Sequence, residues 1–158
     1  MRIVCQNVNE ASCNIAGKVV GAISKGFCVF VGFTHDDTKE IVEKMVAKLI
    51  SLRVFDDENG KTNLSLEDVK GEILSISQFT LYASVKDGRR PSFVNAMRPE
   101  EATKLYDYFN ECLVNTGVHI EKGVFGADMK IKLENNGPFT TIIDSKELGL
   151  WKKKFLLD

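Results

Sequence analysis

From Arg2 to Phe33 the chain alternates apolar and polar residues in short runs broken by turn residues, a period of two that excludes a mainly helical N-terminal third. The runs are Arg2 to Val8, Ser12 to Ala16 and Lys18 to Ile23, followed by the apolar stretch Phe27 to Phe33. Ala16-Gly17 and Ser24-Lys25-Gly26 punctuate them, so an antiparallel meander is expected.

Beyond Phe33 the period changes. Asp37 with Glu40 three residues on resembles a capping box, and Ile41, Val42, Met45, Val46, Leu49 and Ile50 form a helical apolar stripe. Arg53 to Phe55 reads as a short strand and Glu72 to Phe79 as a central one. Pro99, followed by Glu100 and Glu101, opens a second helix with the stripe Ala102, Leu105, Tyr106, Phe109 and Leu113, ended by Asn115-Thr116-Gly117. Strands are expected near His119 to Phe125, Asp128 to Leu133 and Phe139 to Ile143. The fold class is therefore α+β: a mainly antiparallel sheet curled into a partial barrel, with two principal helices, in a single domain. That domain is expected over residues 1–145, with 146–158 as a C-terminal tail; "KELGLWKKKFLLD" is amphipathic and expected to be helical.

Several functions are made improbable by composition. With 158 residues, 44% hydrophobic and 27% charged, the chain has the balance of one globular domain with a full core. No run is apolar enough to span a bilayer, and the N-terminus begins as a strand pattern without signal-peptide architecture, so a cytoplasmic location is expected. Cys5, Cys13, Cys28 and Cys112 lack CxxC spacing and read as buried, reduced thiols. The two histidines, His35 and His119, have no ligand at helical spacing, so neither a metal nor a zinc site is expected. "FDDENGKTN" would put Phe55 where a calcium loop needs its first carboxylate, and reads instead as a hairpin turn. Net charge is −1, but Lys86, Arg89, Arg90 and Arg98 cluster against the single acid Asp87, a pattern suited to phosphates or to a solvated loop.

Three segments depart from what packing alone selects. Ser77-Gln78-Phe79-Thr80-Leu81-Tyr82-Ala83 puts hydroxyl, amide and backbone N–H groups at a strand end, where they either line a cleft or cap the next loop. As nucleophiles, Ser77, Thr80 or Tyr82 would need an activating base, and no histidine is near in sequence. Gly88 to Phe93 carries two guanidinium forks, Arg89 and Arg90, before a proline. "NNGPFTT" at Asn135 to Thr141 interrupts a strand-rich region with glycine and proline. A cis Gly137-Pro138 would make two adjacent carbonyls into acceptors for an ammonium group, although trans is the commoner isomer.

Together, "SQFTL" at Ser77 to Leu81, "NxGPxT" at Asn135 to Thr140, "GRRPSF" at Gly88 to Phe93, "LYDYF" at Leu105 to Phe109, "RVF" at Arg53 to Phe55 and "ADM" at Ala127 to Met129 resemble the D-aminoacyl-tRNA deacylase family. The likeness runs from about Met1 to Ser145. It implies a homodimer that hydrolyses the ester joining a D-amino acid, or glycine, to the 3′ end of tRNA, with no metal or organic cofactor. It further implies that Gly137-Pro138 is cis and enters the partner's active site, where the two carbonyls hold the substrate α-amino group and reject L-amino acids. Ser77, Gln78, Phe79 and Thr80 would line the facing wall, the backbone N–H groups of Phe79 and Thr80 meeting the oxyanion. Thr80 is viewed in the family as a nucleophile, the alternative being assistance from the 2′-hydroxyl of the terminal adenosine. Arg89 and Arg90 would be possible tRNA contacts. The chain departs from the family pattern at Asn7, where an arginine braces the Gly-Pro loop, at Asn136, often an acid, and at Phe139, where valine is common.

Overall fold

The computed structural model describes residues 1–150. A six-stranded mixed sheet and a two-stranded hairpin carry two helices. β1 (Arg2–Ile15) is one continuous 14-residue strand rather than two. It pairs antiparallel along nearly its whole length with β8 (Lys130–Asp144), which likewise merges the two C-terminal strands expected from the alternation. That leaves the other edge of β1 to be shared: Arg2 to Val8 pair with β3 (Gly26–Gly32), and Ala11 to Ile15 with β2 (Lys18–Ile23). The order β2-β1-β3 replaces the simple meander, and β6 (Glu72–Ser77) and β7 (Ile120–Lys122) add in parallel beyond β3.

The sheet bends where β1 changes partner. Asn9 is an extra residue between the pairs Val8↔Asn135 and Glu10↔Glu134, and it flips the side-chain parity of the strand. Ile3 and Cys5 therefore face the helices, whereas Val8, Ala11 and Cys13 face a second apolar cluster with Leu74 and Ile76. A side chain at Gly21 would lie 3.3 Å from the Lys122 carbonyl, so glycine lets β2 approach β7 and nearly close the barrel.

Both helices cover the face of the sheet that carries Ile3 and Cys5. α1 (Lys39–Ser51) buries Ile41, Val42, Met45, Val46 and Leu49. Its cap is Thr38, whose hydroxyl accepts from the Ile41 N–H, not Asp37. Asp37 is drawn elsewhere: its carboxylate takes the Thr34 N–H and the Met1 amino group, each at 2.8 Å. α2 (Pro99–Asn115) buries the expected stripe and adds Asn110. β4 (Phe55–Asp56) and β5 (Thr62–Leu64) form the expected hairpin around Gly60. Among the described residues no helix is long and apolar enough to cross a membrane. Residues 145–149 form turns, and the rest of the expected tail helix lies largely outside the described residues.

Candidate active site

β6 ends at Ser77, two residues earlier than the alternation suggests. The Gln78 N–H still reaches the Val31 carbonyl at 2.8 Å, and the chain then folds into a single 3₁₀ turn, Phe79–Tyr82. Its first internal bond is Leu81 N–H to the Gln78 carbonyl, so the Phe79 and Thr80 N–H groups precede it and have no partner within the turn. The turn packs directly on the end of β3: a side chain at Gly32 would lie 2.8 Å from the Gln78 carbonyl oxygen.

Ser77, Gln78 and Phe79 line a cleft of about 260 Å³ with Phe125, Ala127 and Met129. Phe79 is 50% exposed and meets Phe93, 43% exposed, edge-on at 5.0 Å. Phe93 comes from the loop that follows, pinned at its neck by reciprocal Ser84–Ser92 backbone bonds of 2.8 Å. Arg89 and Arg90 are exposed on that loop beside Gly88, and neither pairs with another described residue.

Thr80 is exposed next to the cleft, and its hydroxyl oxygen accepts from Gln78 Nε2 at 2.7 Å. An amide donor is no base, so nothing in this contact activates the hydroxyl. Neither histidine takes that role in this arrangement. His119 sits beside Glu72 and Glu121, at the opposite end of β6 from Ser77, and His35 donates through Nε2 to the Val94 carbonyl. Among the described residues no group of three or more His, Cys, Asp or Glu is arranged to hold a metal.

Gly137 and Pro138 are held by β8 in an unexpected way. Gln6 pairs with Thr140 and Val8 with Asn135, so the four residues 136–139 stand opposite the single residue Asn7. The strand is not broken but extruded. Asn136, Gly137 and Pro138 are exposed, Phe139 is half-buried against the helical core, the Gly137-Pro138 bond is cis, and Gly137 has φ +123°. Beneath them Asn7 is 4% exposed; its Nδ2 donates to the Val54 carbonyl at 2.8 Å, while its Oδ1 and the nearby Thr141 Oγ1 have no partner among the described residues.

The two motifs do not meet within one chain. Ser77 pairs with Val31 and Val31 with Ile3, four residues along β1 from Asn7. Three strand spacings and four residues separate them, roughly 14 Å across and about 13 Å along.

The sequence model described as D-Tyr-tRNA(Tyr) deacylase matches residues 4–144. The chain belongs to that family. The D-aminoacyl-tRNA deacylase of Lactobacillus acidophilus is 55% identical over 144 residues, 91% of this chain and 99% of the relative. That of Bacillus velezensis is 52% identical over 147 residues, 93% and 100% of the two. A solved structure described as c-Myc DNA Unwinding Element Binding Protein superposes with a TM-score of 0.86 at 41% identity, covering 92% of this chain and 99% of the other. A probable eukaryotic D-amino acid tRNA deacylase superposes at 0.81 and 21% identity, covering 90% and 97%, and shares the fold.

Sequence reasoning missed the residues behind the deacylase-family motifs. Arg2 Nη1 donates to the Leu81 carbonyl at 2.6 Å, its Nε donates to Asp144 at 2.8 Å, and its guanidinium lies 4.7 Å from the centre of the Tyr82 ring. Burial raises the Tyr82 hydroxyl pKa, the nearby Asp37 and Asp144 charges push the same way, and only Arg2 opposes them. Burial alone would raise Asp144, but the Lys146 N–H and Arg2 outweigh it and hold the carboxyl below its usual range. The only sequence signal was a charged residue in the alternation opposite a distant acid.

Proposed function

We propose that the chain hydrolyses the ester of D-aminoacyl-tRNA, and of glycyl-tRNA, as a homodimer in which each Gly137-Pro138 extrusion completes the partner's cleft. Family membership, with relatives named D-aminoacyl-tRNA deacylase, supports the deacylation itself. The observation that carries the finer reading is the extrusion opposite Asn7: it offers backbone to solvent, far from the chain's own Phe79–Thr80 turn.

In this reading the Gly137 and Pro138 carbonyls accept the substrate ammonium. A D side chain points away from them, an L side chain runs into the backbone itself, and glycine passes because it has none. Water attacks the ester carbonyl, and the Phe79 and Thr80 N–H groups take up the developing oxyanion charge. Thr80, tied to an amide donor, lines the site, and the terminal 2′-hydroxyl of the substrate assists the attack. The products are the free amino acid and tRNA with its 3′-hydroxyl restored. Arg89 and Arg90 meet the tRNA phosphates.

The test is single-turnover hydrolysis of matched D-tyrosyl-, L-tyrosyl- and glycyl-tRNA. Loss of the D and glycyl esters with survival of the L ester is expected, and equal loss of D and L would remove the clash mechanism. Thr80→Ala should keep its rate within about tenfold, the scale of one lost positioning contact; a fall to background would make Thr80 the nucleophile. Binding of tRNA without any hydrolysis would favour a non-catalytic module of the same fold. The DNA named for one solved relative has less support here, because the matching family model and the curated relatives are named for deacylation of tRNA.

A further inference from the structure

Arg2 makes three contacts, two of them on one turn and the third on the end of β8. Its Cα partners are Gly32 on β3 and Asp144 on β8, so it sits where the two motif-bearing halves of the sheet meet. Asp144 fixes the Nε edge of the guanidinium at 2.8 Å, the Tyr82 ring fixes its face at 4.7 Å, and Nη1 is thereby aimed at the Leu81 carbonyl at 2.6 Å. A planar fork can satisfy all three at once, whereas an ammonium cannot. The contact carbonyl belongs to the turn that begins with the Phe79 and Thr80 N–H groups. Gln78 on Val31 holds the front of that turn, and Arg2 holds its back.

We propose that Arg2, backed by Asp144, is a positioning residue for deacylation: it locks the turn so that the Phe79 and Thr80 N–H groups stand ready before substrate arrives. This rests on the reading of those two groups as the oxyanion donors. Arg2 touches no substrate. Its effect is therefore confined to the rate at saturation, since donors that drift by a fraction of an ångström lose transition-state contact while ground-state binding persists.

The experiment is single-turnover hydrolysis of D-tyrosyl-tRNA by the full chain at varied enzyme concentration, with thermal unfolding of each variant. Arg2→Met is expected to lower the saturated rate about 100-fold, the cost of a small misplacement, with half-saturation shifted less than about twofold. Arg2→Lys should recover about tenfold of that, because one donor still reaches Leu81. Asp144→Asn, which keeps the guanidinium, should cost about threefold and serves as the reader if Arg2→Met fails to unfold cooperatively. An active wild type with all three variants within about twofold overturns the inference alone. So does a rate loss, in variants that still unfold cooperatively, that only tracks weaker binding. A wild type with no activity on the D ester removes the functional reading and the inference together.

Discussion

The turn at Phe79–Tyr82 and the extrusion at residues 136–139 are each four residues long; the first follows the end of β6, and the second is looped out from within β8. They are held very differently. The turn is tied to β3 by the Gln78 N–H, closed internally by Leu81 and Ala83, gripped from behind by Arg2 and anchored by buried Tyr82. The extrusion is pinned only at its ends, by the pairs around Asn135 and Thr140 and by half-buried Phe139, while its middle stands in solvent. One wall of the proposed site is thus preorganised by its own chain. The other has the form of a segment that gains its neighbours on assembly, as the proposed dimer requires. Rate should then belong to the turn and chirality to the extrusion.

Gly32→Ala should separate the two most sharply. The added methyl would lie 2.8 Å from the Gln78 carbonyl and 3.1 Å from Leu81 Cβ, so the turn must move or β3 must give. Overpacking of this kind costs about 1–3 kcal/mol, and displaced oxyanion donors about 100-fold in rate. Hydrolysis of D and glycyl esters should fall together, with the D-to-L ratio unchanged. A changed ratio at an unchanged rate would reverse the assignment.

Gly137→Ala attacks the other wall. At φ +123° an L side chain is strained, and the new Cβ would stand 3.1 Å from the Phe139 N–H nitrogen. Because the loop is free to shift, strain of about 1–3 kcal/mol should be relieved by moving the carbonyls rather than by unfolding the protein. Discrimination between D and L esters is expected to drop about tenfold, equivalent to about 1.4 kcal/mol, with little change in Tm. Hydrolysis rates of all three esters falling equally would show that the extrusion serves rate after all.

Much of this asymmetry was legible, and the rest was hidden for identifiable reasons. Helical stripes, hairpin turns and both motifs are local, and the structure draws them at Ile41 to Leu49, around Gly60 and at Ser77 to Phe79. What failed was register. Polar Asn9 and Glu10 looked like a gap, yet Asn9 is a bulge within one strand, and Gly137-Pro138 looked like a strand break, yet β8 continues on both sides of it. Deciding between a break and a bulge requires the partner strand, more than a hundred residues away in the chain. Arg2 was unreadable for the same reason, its partners being Leu81 and Asp144. The helix cap failed by competition: Asp37 and Thr38 are both good caps, and the distant Met1 amino group together with the local Thr34 N–H took the carboxylate. The asymmetry between Asn7 Nδ2, bonded to Val54, and its unpartnered Oδ1 likewise exists only once the two strands are in register.

A smaller effect tests whether the arginine loop serves either wall. Arg89 and Arg90 are exposed and unpaired among the described residues, so Arg89→Ala with Arg90→Ala should leave stability within about 0.5 kcal/mol. Loss of phosphate contacts should weaken tRNA binding several-fold and lower the salt slope by about 1 per contact, whatever the amino acid carried. Unchanged salt dependence would leave the pair as a solvated turn, and a change in the D-to-L ratio would tie the loop to chirality.

The smallest effect at neutral pH lies in the core that joins the two regions. Cys28 pairs with Gln6 on the flank of the extrusion, and burial, followed by the nearby Cys13, pushes its thiol up to about 12. The folded state therefore keeps a proton that the unfolded chain releases near pH 8.5–9. A raised pKa contributes stability that is complete below the unfolded value and lost between that value and about 12. From pH 6 to 8 the thiol should contribute no slope, whereas by pH 10 it should account for about 1–2 kcal/mol of lost stability. Cys28→Ala makes a cavity and lowers Tm at pH 7, so the comparison is of slopes: between pH 8.5 and 10.5 the variant's Tm should fall less steeply than that of the wild type. Because Gln6 and Thr140 bound the extrusion, alkaline loosening should reach chirality before rate, and a saturated D-ester rate that failed first would place the weaker element under the turn instead.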